Sequence, residues 1–146
     1  MTQLVLPNDT NNLGNLLGGR LMEWMDIAAA VSAQRHSNRI CVTAGVDELV
    51  FHQPIRLGEV VTLRSSVNRV FGSSMEVGVH VVAENQLTGD HRTANTAYLT
   101  FVAVDDHGQP TKVTPIIPRT PEEKRRYADA LDRRNRRLAR RKNVVH

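Results

Sequence analysis

A change of hydrophobic period near residue 40 constrains this 146-residue chain more than any other feature. From Arg20 to about His36, Leu21, Trp24, Met25, Ala28, Ala29, Ser32 and Ala33 recur at helical spacing, giving one face to bury. Further on, Met75, Val77, Val79, Val81 and Ala83 alternate with Glu76, Gly78 and His80, and Ala97, Leu99, Phe101 and Ala103 repeat the pattern. A period of two means strands. Ile40 to Phe51 and Val60 to Val70 are two more strand candidates, and the separators PIRLGE, FGSS, LTGD and DDHGQP carry Gly or Pro turn chemistry. One long helix followed by antiparallel strands is an α+β arrangement with the helix covering a sheet face, and strands joined in this way form a meander. Ala28, Ala29, Ala30, Ser32 and Ala33 are small enough for a sheet to approach the helix backbone closely, as a central wrapped helix requires.

The length suits one domain. With 4% aromatic residues the core must be built from Val, Leu, Ile, Ala and Met. No run approaches the roughly 20 apolar residues of a membrane span, and MTQLVLPNDT lacks the basic start and apolar stretch of a secretory signal, so the expected location is the cytoplasm. The single cysteine, Cys41, suits a reducing compartment and reads as a small buried hydrophobe. The six histidines form no ligand-like pair, so no metal is assigned, and no cofactor-binding motif is present.

The net charge of +4 conceals an asymmetry. Residues 119–146 carry 11 Lys or Arg against 4 Asp or Glu, whereas residues 1–118 carry 8 against 11. This divides the chain into a folded domain, 1–118, and a basic C-terminal tail, 119–146. Within the tail, Tyr127, Leu131 and Leu138 fall at loosely helical spacing on a charged surface. A solvated tail is favoured over one that binds nucleic acid or an anionic membrane surface.

Candidate chemistry gathers at the start of the helix. Asp26 has Met22, Ala29, Ala30 and Ala33 on its own face, and an unpaired carboxylate among apolar neighbours is a usual proton acceptor in enzymes. A partly solvated charge at the helix flank is the plainer reading. Gly18 and Gly19 free the backbone to approach a ligand where the first helical N–H groups are unpaired, so a developing oxyanion fits there; a tight turn would use the same pair. Asn11 and Asn12 offer amides to a water or carbonyl, or form Asx-turns. No Gly-x-Ser-x-Gly elbow or Walker-type loop is present, which disfavours a serine triad.

Read in order, PNDTNNLGNLLGGRLMEWMDIAAA, VTAGVDELVFHQPIRLGEVV, GSSMEVGVHVVAE and TANTAYLTFVAV resemble the hotdog-fold acyl-CoA thioesterases, in particular bacterial single-domain relatives of the brain-type acyl-CoA hydrolase. The match runs from about Pro7 to Pro118. It implies a long central helix wrapped by a curved antiparallel sheet, pairing of two units into a dimer, and often a trimer of dimers. By position, Asn11 resembles the family's catalytic asparagine and Asp26 its catalytic carboxylate, the two coming from different subunits. Gly18 and Gly19 would hold the thioester oxyanion. Gly72, Ser73 and Ser74 resemble the segment that meets CoA, and Arg119 would pair with a phosphate. Leu17 departs from the pattern, since relatives often carry His or Phe there, which bears on chain-length preference. A non-catalytic acyl-CoA binder or sensor is the alternative on the same fold. A hotdog hydratase would need a histidine near the helix, and none lies between Asn11 and Gln34.

Overall fold

A computed structural model describes residues 1–142. Its elements in chain order are β1 (Thr2–Leu4), a 3-10 turn (Pro7–Asp9), α1 (Gly18–Ser37), β2 (Ile40–Phe51), β3 (Val60–Phe71), β4 (Ser74–Glu84), β5 (His91–Val104) and α2 (Pro121–Lys142). The five strands form one antiparallel sheet in the order β1-β3-β4-β5-β2.

The strands β3, β4 and β5 are the expected meander. The expectation fails at β2, which does not pair with β3 but crosses to the far side and pairs with β5. The reason is α1: the chain leaves its C-terminus at the β5 edge, where Ile40 pairs with Val104, and residues 52–59 carry it back over the sheet. The alternating pattern marks a strand but says nothing about which neighbour it takes.

The helix buries Leu21, Trp24, Met25, Ala28, Ala29 and Ala33 against the sheet, the face its spacing predicts. Opposing it are Val61, Leu63, Met75, Val77, Val79, Val81, Ala97, Leu99, Phe101 and Ala103, all buried. The alanines permit close contact: Ser65 Oγ on β3 donates to the Ala28 carbonyl at 2.8 Å. A left-handed Asn38 ends the helix (φ 56°), its N–H donating to the Gln34 carbonyl at 2.8 Å.

The crossing segment is fastened by a buried carboxylate. Glu59 receives two hydrogen bonds from the Arg92 guanidinium at 2.7 and 3.0 Å, and the Arg56 N–H donates to it at 2.7 Å. Arg92 chiefly, opposed by burial and helped by the Arg56 N–H, holds the Glu59 carboxyl below the usual glutamate range. Stability from a depressed acid is present above its unfolded pKa of about 4.3 and is lost as pH falls through the lower folded value. Glu59→Gln is therefore expected to lower stability near neutral pH and to flatten the acid limb of a pH–denaturation curve, read by urea unfolding between pH 2 and pH 7.

The basic segment is not a solvated tail as far as it is described; its last four residues lie outside the described residues. Helix α2 packs on the sheet face opposite α1 through arginines. Arg133 is buried and makes a two-pronged pair with Glu76 (Nε–Oε2 3.0 Å, Nη2–Oε1 2.7 Å), while its guanidinium covers the Tyr98 ring at 3.5 Å. Asn68 Nδ2 donates to the same carboxylate at 3.0 Å. Gly78 leaves room for Asn68, since a Cβ there would come within 2.8 Å of its amide. Arg69 covers the Tyr127 ring at 3.8 Å, and Arg137 pairs with Asp47 of β2 at 2.6 Å. Much of the tail's positive charge is thus spent on the domain's own acids and rings.

Candidate active site

The loop before α1 is rigid by construction. Buried Asp9 accepts from the Leu6 N–H at 2.9 Å and pairs with Arg20 at 3.3 Å, while its carbonyl accepts from the Leu17 N–H at 2.9 Å. The Leu16 N–H reaches the Ile55 carbonyl at 2.7 Å. Asn11 Oδ1 accepts from the N–H groups of Leu13 and Asn15 at 3.0 and 3.1 Å, which is the Asx-turn reading. Its amide donor makes no bond among the described residues, and the side chain is exposed.

At the helix start, Leu17 offers no side-chain cap. Leu21 is the first residue of the helix whose N–H is taken, by the Leu17 carbonyl at 3.1 Å. The N–H groups of Gly18, Gly19 and Arg20 find no protein acceptor among the described residues, at the end of the helix where partial positive charge accumulates. A cavity of about 260 Å³ opens beside them, bounded by Leu16, Leu21, Phe51, Pro54, Ile55 and Asn95. Both glycines are exposed, and a Cβ on Gly18 would meet the Phe51 ring at 3.8 Å.

Asp26 is half-buried on the α1 flank that faces β2, and it is not unpaired. Thr43 Oγ1 donates to its Oδ1 at 2.6 Å. Sequence reasoning missed Thr43. The available signal was a hydroxyl on the helix-facing side of an otherwise apolar strand, one row from Cys41.

Within one chain these groups do not converge. Asp26 lies eight residues along the helix from Gly18, about 12 Å. Thr43 is in register with Phe101, and Phe51 with Asn95, six residues or about 20 Å apart on β5. Asn11 and Asp26 share no hydrogen bond. Gly72, Ser73 and Ser74 form the β3–β4 hairpin turn, with Gly72 at φ 67° and Ser74 Oγ donating to the Phe71 carbonyl at 3.2 Å. That hairpin is at the Asp26–Thr43 end of the sheet, since Phe101 is also in register with Met75. Arg119 is exposed just before α2, its N–H donating to Glu123 at 2.8 Å, and its side chain joins none of these groups.

Strand β2 is an edge, paired on one side only, and it exposes Ile40, Val42, Val46, Val50 and Phe51. Twelve residues of open, apolar edge invite a second chain. Among the described residues no helix is long and apolar enough to cross a membrane, and no three His, Cys, Asp or Glu gather as metal ligands.

The sequence profile of the thioesterase superfamily matches residues 13–89, more than half of the chain. The chain belongs to that superfamily. It is 43% identical to the uncharacterized acyl-CoA thioester hydrolase YkhA of Bacillus subtilis, over 97% of this chain and 83% of that one. It is also 43% identical to mouse acyl-coenzyme A thioesterase 11, over 94% of this chain but only 23% of that protein, so it spans about a quarter of that relative's length. A hexameric acyl-CoA thioesterase solved without ligand superposes with a TM-score of 0.95 at 39% identity, covering 99% of this chain and 92% of that one. The acyl-CoA hydrolase of Staphylococcus aureus, solved with butyryl coenzyme A, coenzyme A and coenzyme A disulfide, superposes at 0.90 with 38% identity over 97% and 86%. The same enzyme has also been solved with a single aspartate, threonine or asparagine replaced by alanine. The helix wrapped by an antiparallel sheet is the hotdog fold that the sequence motifs implied, and α2 lies inside the superposed span.

Proposed function

We propose that this chain hydrolyses acyl-CoA to CoA and a carboxylic acid, in the cytoplasm, as a homo-oligomer whose sites each combine two subunits. The observation that carries the reading is the paired Asp26 and Thr43 on a helix flank beside an open apolar strand, about 12 Å from the unpaired Gly18–Gly19 N–H groups. A carboxylate and an oxyanion hole so far apart cannot serve one thioester within one chain. Antiparallel pairing of β2 with a second β2 about a two-fold axis reverses the strand, so that the Thr43 end of one subunit faces the Phe51 end of the other. Asp26 then approaches Gly18 and Asn11 of the partner subunit. The hexameric state of one similar enzyme supports a trimer of such dimers.

In this site the first N–H groups of α1 stabilise the charge that develops on the thioester oxygen. Asp26 activates water as a general base or attacks the carbonyl directly. The Thr43 hydroxyl occupies Oδ1, fixing the carboxylate's orientation and leaving Oδ2 for the reaction. Asn11, held by its Asx-turn, presents its free amide donor to water or to the carbonyl. In the S. aureus enzyme the alanine-substituted Asn, Asp and Thr are spaced 15 and then 17 residues apart. Asn11, Asp26 and Thr43 have the same spacing here, which supports assigning all three to the site. Gly72, Ser73 and Ser74 remain proposed contacts for CoA, supported by their position at the Asp26 end of the sheet, and Arg119 a proposed phosphate partner.

Thr43→Val is expected to lower kcat about tenfold, the loss of one hydrogen bond to a charged group, with KM little changed. The test of the proposal as a whole is free-thiol release from an acyl-CoA series, acetyl to palmitoyl. Turnover that requires Asp26 supports it. Binding of acyl-CoA without hydrolysis at any chain length gives the binder or sensor reading instead.

A further inference from the structure

We propose that the cavity beside the first turn of α1 receives the acyl group and favours one bearing a hydroxyl a few carbons from the thioester, with Asn95 as the specificity-determining residue. This rests on the acyl-CoA reading above.

Asn95 continues the row Ala97, Leu99, Phe101 and Ala103 that faces α1, and it is the one polar member of that row. Its side chain has no exposed surface. Nδ2 donates to the Val50 carbonyl at 3.0 Å, and because that partner can only accept, the orientation of the amide is set. Oδ1 is then an acceptor with no partner among the described residues. A buried acceptor left without a donor is costly. Valine or threonine would serve a strand at this position without that cost.

The location supplies the missing donor. Asn95 is in register with Phe51, whose ring abuts Gly18, so the cavity runs from the open N–H groups of α1 to Asn95. The other walls are apolar: Leu16, Leu21, Pro54 and Ile55. At about 260 Å³ it is below the range of roughly 300–1,000 Å³ typical of drug-sized ligands, which suits a short acyl group. With the thioester oxygen at the Gly18–Gly19 N–H groups, the chain enters among apolar side chains and ends near one unmet acceptor. A hydroxyl on that chain satisfies it; a plain chain leaves it unmet or retains a water.

The experiment compares kcat/KM for 3-hydroxybutyryl-CoA and butyryl-CoA, using the assembled wild type and Asn95→Leu, which has similar volume and no acceptor. The wild type is expected to prefer the hydroxyacyl substrate about tenfold, because a pocket with a buried polar group discriminates against an analogue that cannot pair with it. In Asn95→Leu the ratio falls to one or below. Equal values in the wild type, or a preference that Asn95→Leu leaves unaltered, overturn the proposal and assign the acceptor to water or to the partner subunit. Should the variant fail to fold, the wild-type ratio decides alone. Turnover of butyryl-CoA without preference ends only this inference, whereas no hydrolysis of any acyl-CoA ends the parent reading with it.

Discussion

Asp26→Ala lowers kcat about a thousandfold, the middle of what a positioned acid–base group contributes, while the oligomer persists and KM moves little. The argument is geometric. Asp26 buries no surface that holds α1 to the sheet; that task falls to Leu21, Trp24, Met25, Ala28, Ala29 and Ala33. Its one partner within the chain, Thr43, is on the exposed strand β2. Removing the carboxylate therefore frees one hydroxyl to water and costs the fold little. The reaction loses the group that generates or replaces the attacking water, which acts in the transition state rather than in binding. Steady-state kinetics with size-exclusion chromatography of the same sample checks both halves. A variant within threefold of wild type removes Asp26 from the mechanism.

The second large effect is on stability. Arg133→Ala is expected to cost about 3 kcal/mol, the usual result of breaking a buried ion pair from one side, and to lower Tm by roughly 10 °C. The change leaves the Glu76 carboxylate among β-strands with only the Asn68 amide as donor and uncovers the Tyr98 ring. Replacing both partners at once, Glu76→Leu with Arg133→Met, removes the stranded charge and is expected to recover most of the loss. Calorimetry on the three proteins decides it. An unchanged Tm in Arg133→Ala would mean that α2 does not dock on the sheet.

That docking marks where sequence reading stopped. The helix α1 and the four long strands are legible because each buries one apolar face, and periodicity reports that directly. Helix α2 buries an arginine face instead: Arg133 on Tyr98 and Glu76, and Arg137 on Asp47. A stripe of cations facing acids and rings on distant strands has the same appearance in sequence as a solvated surface. The crossing of β2 to the β5 edge was hidden for a similar reason, since it is decided by where α1 ends. Strand β1 contributes three residues, too few for a pattern.

In the site, Asp26 and the Gly18–Gly19 pair were visible as a carboxylate and freed backbone on one helix. Thr43 was not, because its relation to Asp26 depends on β2 lying beside α1. The separation of Asp26 from Gly18 along the helix was implicit in the sequence. Its meaning emerged only with the open edge of β2, which supplies a second chain to close the gap.

The measurement that tests this most directly mixes two inactive variants. Asn11→Ala and Asp26→Ala are unfolded together in equal amounts, refolded, and assayed for thiol release from acyl-CoA. If each site takes Asn11 from one subunit and Asp26 from the other, half of the randomly formed dimers have one site with both residues intact, and activity returns to about a quarter of wild type. If both residues serve the site of their own subunit, every site in the mixture lacks one of them, and no activity above that of the two variants alone returns.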